Sequence, residues 1–360
     1  ATKDPKIAGL PLTLGRLTMK RLLSALASAT ALSLFVCPPA FADDADDDYT
    51  PITDCGTIIT EPGYYRLTND LIGCDVPDPM GNPIEYGVGI ASSDVVLNLG
   101  GHTISCLQGD EQDSFFFNFG VFSEPFLSGI RIQNGTVTTC GLGANLNQSF
   151  DSTIMDMVFK ANGTGIEVLA GVNNQVKKNT VLGNWNSGVL ATSFFGNPFG
   201  GGFYIGPGTG HRIHKNLSLF NGLAGIDANG IEDTVISCNR TDRNSDGVVL
   251  LNTGTGNKVQ KNVANKNFSS GIALLGFDFP GFVVFPIPEG NTIRNNLALG
   301  NWDFDLGELS FGLGGPVIGT ACLNKWKRNS YDTQLAFEGC IAPPVNVGRD
   351  DDDGCAPSMR

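Results

Sequence analysis

Two short runs, Arg212-Ile213-His214-Lys215 and Lys258-Val259-Gln260-Lys261, set polar or cationic side chains on either side of a single aliphatic residue. In an extended chain successive side chains point to opposite faces. If Ile213 and Val259 point inward, Arg212, His214 and Lys258 share one outward face. The same spacing around Val176, Ile236 and Ile293 adds Lys177, Ser237 and Arg294, and Lys178, Lys215 and Lys261 follow at the turn. His214 is a candidate general base, because an imidazole titrates near neutral pH. Arg212, Lys258, Lys261, Lys215, Lys177 and Arg294 could neutralise a substrate carboxylate. Asp227 projects outward on the preceding strand, and Glu232 and Asp233 stand at the next corner. These carboxylates could supply an acid, or hold a Ca²⁺ with Asn229. Removing a proton beside a uronate carboxylate needs such a set: a cation to neutralise it, a base for the C5 proton and an acid for the leaving oxygen. The plain alternative is an acidic chain spacing its few cations to relieve self-repulsion, with His214 an ordinary surface histidine.

The composition limits which elements can carry these residues. Of 360 residues, 47 are Gly and 31 Asn, and only 16% are charged, which excludes a coiled coil, a helical bundle and a charged disordered chain. Gly and Asn among β-branched residues indicate many short strands joined by tight turns. The formal charge is −13, and residues 43–360, with 18 basic and 35 acidic groups, carry −17. That argues against nucleic-acid binding, which needs cations on phosphates.

A repeat fixes the arrangement. Gly followed by an aliphatic recurs at Gly89-Ile90, Gly120-Val121, Gly165-Ile166, Gly188-Val189, Gly225-Ile226, Gly247-Val248 and Gly271-Ile272. An Ile or Val is followed three residues later by Asn, and five further on by another Asn, at Asn179/Asn184, Asn216/Asn221, Asn239/Asn244, Asn262/Asn267 and Asn296/Asn301. The first members are 37, 23, 23 and 34 residues apart, a period of 23 with insertions of 14 and 11. Twenty-three residues make one coil of three short strands, and only stacking buries its apolar side. Asn at the corners would adopt the left-handed conformation and bond to the next coil. Ile166, Val168, Val176, Val189, Ile213, Leu217, Ile226, Ile236, Val248, Leu250, Val259, Ile272 and Ile293 form the expected core.

Cys55-Gly56-Thr57-Ile58-Ile59, Pro62-Gly63-Tyr64-Tyr65-Arg66-Leu67 and Val95-Val96-Leu97-Asn98-Leu99-Gly100-Gly101-His102-Thr103-Ile104 resemble the first turns of secreted bacterial parallel β-helix proteins of the pectin-lyase-like superfamily. Asn324-Lys325-Trp326-Lys327-Arg328-Asn329 resembles their last turn. The resemblance implies an all-β fold: a single-stranded right-handed parallel β-helix, a solenoid of about nine turns, with an N-terminal cap at 50–88 and the helix proper at 89–340. Lyases, hydrolases, epimerases and adhesins share this fold, so it does not choose the activity. The N-T-D, D-D and G-H-G motifs of polygalacturonases do not occur in that order, and Gly210-His211-Arg212 is a partial echo.

Both insertions, Ser193–Thr209 and Gly276–Glu289, are expected at one corner, three turns or about 14 Å apart. They carry Phe195, Tyr204, Phe277 and Phe282, and could wall a groove or fold over the sheet as lids. Leu107–Asn118 is a third, acidic and aromatic insertion elsewhere. Residues 43–49 and 341–360 include Asp43–Asp48 and Asp350–Asp353, read as solvated acidic tails.

Met19-Lys20-Arg21, the apolar run Leu22–Val36 and Pro38-Pro39-Ala40-Phe41-Ala42 form the pattern of a signal peptide at 19–42, cut after Ala42, with 1–18 an upstream extension. The run is short for a membrane span. Nine cysteines less Cys37 leave eight, an even number that predicts disulfides in an exported chain. The preferred pairs are Cys55–Cys74, Cys106–Cys140 and Cys322–Cys340. Three histidines and no Cys-x-x-Cys argue against a zinc or copper site. Asp242-Arg243-Asn244-Ser245-Asp246-Gly247 opens like a calcium loop, but Thr253 stands where the closing Glu belongs. The expected function is an extracytoplasmic lyase or epimerase on an acidic polysaccharide, without a resident cofactor and acting as a monomer. A non-catalytic surface or adhesion protein is the other expectation, since Phe, rather than Trp or Tyr, dominates the loops.

Overall fold

The computed structural model describes residues 48–74, 85–106, 118–184, 203–205, 208–251, 254–278, 287–312, 315–318, 322–336, 339–345 and 355. The expected signal peptide and most of the two expected acidic tails lie outside them. All elements among the described residues are strands, from Thr50–Ile52 to Gln334–Leu335.

The strands stack into a right-handed parallel β-helix. Each complete coil has three faces. Face one is a run of eleven strands, from Thr50–Ile52 through Gln175–Lys177, Arg212–His214, Val235–Ser237, Lys258–Gln260 and Thr292–Arg294 to Lys325–Lys327. Face two, with Thr180–Leu182, Leu217–Leu219 and Arg240–Asp242, belongs to the same sheet. Face three is a separate sheet that includes Leu142–Asn147, Thr164–Leu169, Phe203–Ile205, Ala224–Asn229, Asp246–Leu251, Ser270–Asp278 and Phe304–Gly312. The stack is longer than about nine turns because strands before residue 89 already pair within it. The pairing of Phe304–Gly312 with Gly315–Ile318 is antiparallel, the exception at the C-terminal end.

Every expected core residue that is described is buried, Leu217 the most exposed of them at 7%; Val189 lies outside the described residues. The Gly column has a steric cause. A Cβ at Gly120 would stand 2.5 Å from the carbonyl oxygen of Gly143, and one at Gly247 would stand 2.2 Å from that of Gly271. The register shifts one assignment, since Val88 pairs with Val121, so Gly87 rather than Gly89 belongs to the column. Gly143 is a member that the sequence pattern passed over.

The asparagine columns are buried ladders. The N–H of Asn179 donates to Oδ1 of Asn216 (3.0 Å), Asn216 to Asn239 (2.9 Å), Asn239 to Asn262 (3.0 Å), Asn262 to Asn296 (2.9 Å) and Asn296 to Asn329 (3.0 Å). The second column continues from Asn162 through Asn184, Asn221, Asn244 and Asn267 to Asn301, where Asp305 accepts the last N–H. A third runs through Ser152, Asn174, His211, Thr234, Asn257, Asn291 and Asn324. The left-handed residue is the one before the ladder position, such as Lys178, Lys215, Lys261 or Arg243, each with φ of 56–58°. The asparagine thereby turns its amide inward, which corrects the expectation that it takes the left-handed conformation itself.

Disulfides Cys55–Cys74, Cys106–Cys140 and Cys322–Cys340 are present, and Cys238–Cys355 is the fourth.

Candidate functional site

Face one presents a cationic surface, because the register stacks its outward positions. Gln175, Arg212, Val235, Lys258, Thr292 and Lys325 form one column. Lys177, His214, Ser237, Gln260, Arg294 and Lys327 form the other. The aliphatic residues between them are buried while Arg212, Lys258, Lys261 and Arg294 are exposed. Coils are about 4.8 Å apart, so these side chains make one continuous strip. His214 and Lys258 face the same way, in neighbouring columns.

His214 is half-buried, and its Nδ1 lies 3.1 Å from Ser237 Oγ on the next coil. Burial lowers its pKa and Lys215 lowers it further; a hydrogen bond to the Ser237 backbone acts against them, and Arg212 and Lys177 act with them. The net shift is downward, so the ring is neutral near pH 7, the form a base needs, and Nε2 carries the lone pair in the tautomer whose Nδ1–H donates to Ser237 Oγ. Lys177 is paired in register with His214, and its pKa is lowered by burial and by Arg131 and Lys178. An ammonium of lowered pKa is the better proton donor. Arg294 donates from Nε and Nη2 to Gln260 Oε1, at 2.9 and 2.8 Å, which fixes its guanidinium across two coils.

Asp227 does not join this strip. It lies on the outer side of face three, in register between Tyr204 and Val249, and is only 4% exposed. Burial, and then the charge of Asp246, raise its pKa to about 8, and its Oδ1 has no partner among the described residues. Asp233 is exposed at the corner that leads into Val235–Ser237, at the margin of the strip. No group of three His, Cys, Asp or Glu suited to a metal occurs among the described residues.

The groove is not framed as expected. Phe203–Ile205, rather than Gly188-Val189, fills the face-three position of its coil, so the first insertion precedes that strand. The second follows Ser270–Asp278, at the opposite end of the face. The two insertions therefore leave from different corners. Phe195 and Phe282 lie outside the described residues. Tyr204 and Phe277 have places on strands, but their side chains are outside the description.

Other groups went unnoticed in the sequence. Glu167 stands on the outer side of face three one coil from Tyr204, and Asn145 one coil further. Asn145 Nδ2 donates to the Glu167 carboxylate, yet burial lifts the Glu167 pKa to about 7. Outward position on that strand was the available signal. At the corner between faces two and three, Phe268 (68% exposed) and Trp302 (76%) lie with ring centroids 5.3 Å apart and planes tilted by 42°.

Face geometry and ladders define a right-handed parallel β-helix protein. No family model and no curated sequence matches the chain. Among solved structures it is similar to the Dettilon tailspike protein, at TM-score 0.55 and 17% identity over 80% of this chain and 61% of that one. It is also similar to a variant of the periplasmic alginate epimerase AlgG, at 0.51 and 14%, over 79% and 69%. DFA-IIIase from Arthrobacter chlorophenolicus A6, in complex with DFA-III, scores 0.50 at 12% identity over 83% and 74%. At these identities the likeness is one of fold. The chain spans less than two thirds of the tailspike's length.

Proposed function

We propose that the protein is an extracytoplasmic carbohydrate-active β-helix protein that acts on a uronate-containing polysaccharide as a lyase or epimerase. The observation that carries this reading is His214: a neutral imidazole, bonded at Nδ1 to Ser237 and set among Arg212, Lys177 and Lys215. Arg212, Lys258 and Arg294 pair with uronate carboxylates along the strip, which lowers the acidity barrier at C5. His214 Nε2 takes the C5 proton. In a lyase the electron pair forms the C4–C5 double bond, the C4–O bond breaks, and Lys177 protonates the departing oxygen. In an epimerase a proton returns to C5 from the other side. Asp227 has no part in this, since it lies on another face. An alginate epimerase built on the same fold is in keeping with this chemistry on a β-helix surface. Four disulfides among the described residues fit an oxidising compartment outside the cytoplasm, and no described helix is long and apolar enough to cross a membrane.

A second reading has its own observation. The exposed Phe268–Trp302 pair offers a stacking platform on which a sugar ring could bind without chemistry. A panel of polyuronates, followed by ultraviolet absorbance of unsaturated products and by analysis of sugar configuration, separates the two. Turnover is expected, and His214→Ala should abolish it with little change in thermal midpoint, because the ring lies outside the core. No turnover on any uronate, with a neutral glycan bound at Trp302, would favour the platform.

A further inference from the structure

The corner between faces two and three carries a line of exposed apolar side chains. Eight large hydrophobic residues are exposed among the described residues, and four of them, Leu182, Phe220, Phe268 and Trp302, stand at this corner. The second asparagine ladder places them on the coils of Asn184, Asn221, Asn267 and Asn301, and the exposed Arg243 fills the coil of Asn244 between them. Five successive coils thus each present a large exposed side chain here, over about 19 Å.

The backbone holds these side chains out. Phe220 and Arg243 have φ of 55° and 58°, in the left-handed region, at a column position that Gly183 and Gly300 fill on other coils. A phenylalanine there is disfavoured relative to glycine, and at 50% exposure its ring gains little from packing. The Arg243 guanidinium lies over that ring, 5.2 Å from its centroid, and Lys266 is exposed one coil further on. Beneath the line the N–H groups of Asn221, Asn244 and Asn267 each donate to the next asparagine at 2.9–3.0 Å, so the platform is fixed before anything binds. A second copy of the chain is a poor match for it. The exposed parts of three aromatic rings and one leucine amount to roughly 500 Å², against about 800 Å² per partner in a stable interface. Cations also stand inside the line rather than at its rim. Rings interleaved with cations on a rigid, narrow track suit a chain of pyranose rings, whose C–H faces stack on aromatics while its oxygens and carboxylates meet Arg243 and Lys266.

We propose that this corner is a second, non-catalytic polysaccharide-binding site, along which a glycan chain lies parallel to the axis of the β-helix. Face two separates it from the basic face: five residues lead from Lys215 to Phe220, about 17 Å of extended chain. Its ligand class rests on the carbohydrate reading above, while its place depends on neither His214 nor face one. Face one holds a polymer through charge and the corner through stacking, so the two sites respond differently to salt. Ionic contacts are screened beyond about 3 Å at ~1 M salt, and stacking is not.

Calorimetric titration of the intact protein with a de-esterified oligogalacturonate and with a neutral cello-oligosaccharide, at low salt and at ~1 M salt, tests the site. The wild type should bind an oligosaccharide at high salt. The Phe220→Ser, Phe268→Ser, Trp302→Ser variant should lose that binding by at least about tenfold, with an unchanged thermal midpoint because all three rings are exposed. The Arg212→Ser, Lys258→Ser, Arg294→Ser variant should keep it. Equal high-salt affinity in the wild type and the ring variant overturns the proposal, and so does the absence of any high-salt binding by the wild type. A wild type that sediments as a dimer, with a monomeric ring variant, overturns it in favour of a second copy as the occupant. Neutral oligosaccharide bound through the rings, with no oligogalacturonate bound at any salt, would sink the uronate reading and leave the corner site standing.

Discussion

His214, Asp227 and His211 differ in what burial does to them. At His214 it keeps a half-exposed ring neutral beside its cations, which suits a base. Asp227 and Glu167 are held protonated to about 8 and about 7, against 3.8 and 4.5 for the free groups. Between those values the native state binds more protons than the unfolded chain, so stability falls as pH rises. His211 works in the opposite sense. Its Nδ1 accepts the N–H of Asn174 at 3.2 Å inside the ladder, and burial lowers its pKa from 6.5 to about 4. Its share of stability is therefore lost as pH falls through that window. From pH 8 down to 6.5 the gain from the carboxyls outweighs the loss from the histidines, which begins only at the lower end of that range. The urea midpoint should be higher at pH 6.5 than at pH 8. Asp227→Asn should remove most of that difference and stabilise the protein at pH 8 by on the order of a few kcal/mol. A wild-type midpoint that falls from pH 8 to 6.5 would contradict this account.

The coil is the element, and its ladders hold the faces in register. Asn239 Oδ1 accepts the N–H of Asn216, and its Nδ2 donates to the carbonyl of Ile213 at 2.9 Å. Asn239→Ala would remove both bonds and strip the buried N–H of Asn216 of its acceptor, so denaturant unfolding should show a loss of about 1–3 kcal/mol. A loss under about 1 kcal/mol would mean that packing alone holds the coils. Two ladders were legible because all their quoted members are Asn. The column through Ser152, His211 and Thr234 was not, because any side chain with a well-placed acceptor can receive the same N–H. Alternation around Ile213 and Val259 gave the outward face correctly. The place of Asp227 was half legible: outward is right, but its face differs, since sequence distance around a coil does not say which side a strand occupies. The loops misled because Gly188-Val189 satisfies the pattern that Phe203–Ile205 fills in space.

At the scale of the molecule, an acidic chain concentrates cations on one face and closes its ends with disulfides. Four bonds use all eight cysteines beyond Cys37, so denatured, unreduced protein lacking residues 1–42 should give close to zero free thiols on titration. One or more thiols per chain would remove a bond from this framework. The central claim is that face one is the polymer-binding surface, and the surface can be changed without touching the core, since Arg212, Lys258 and Arg294 are exposed. The most direct measurement is the affinity of a de-esterified oligogalacturonate for the intact protein and for the Arg212→Ser, Lys258→Ser, Arg294→Ser triple variant at low salt. The account predicts a loss of roughly ten- to a hundredfold, with a shallower dependence on salt in the variant. Equal affinity and equal salt dependence in the two proteins would contradict it.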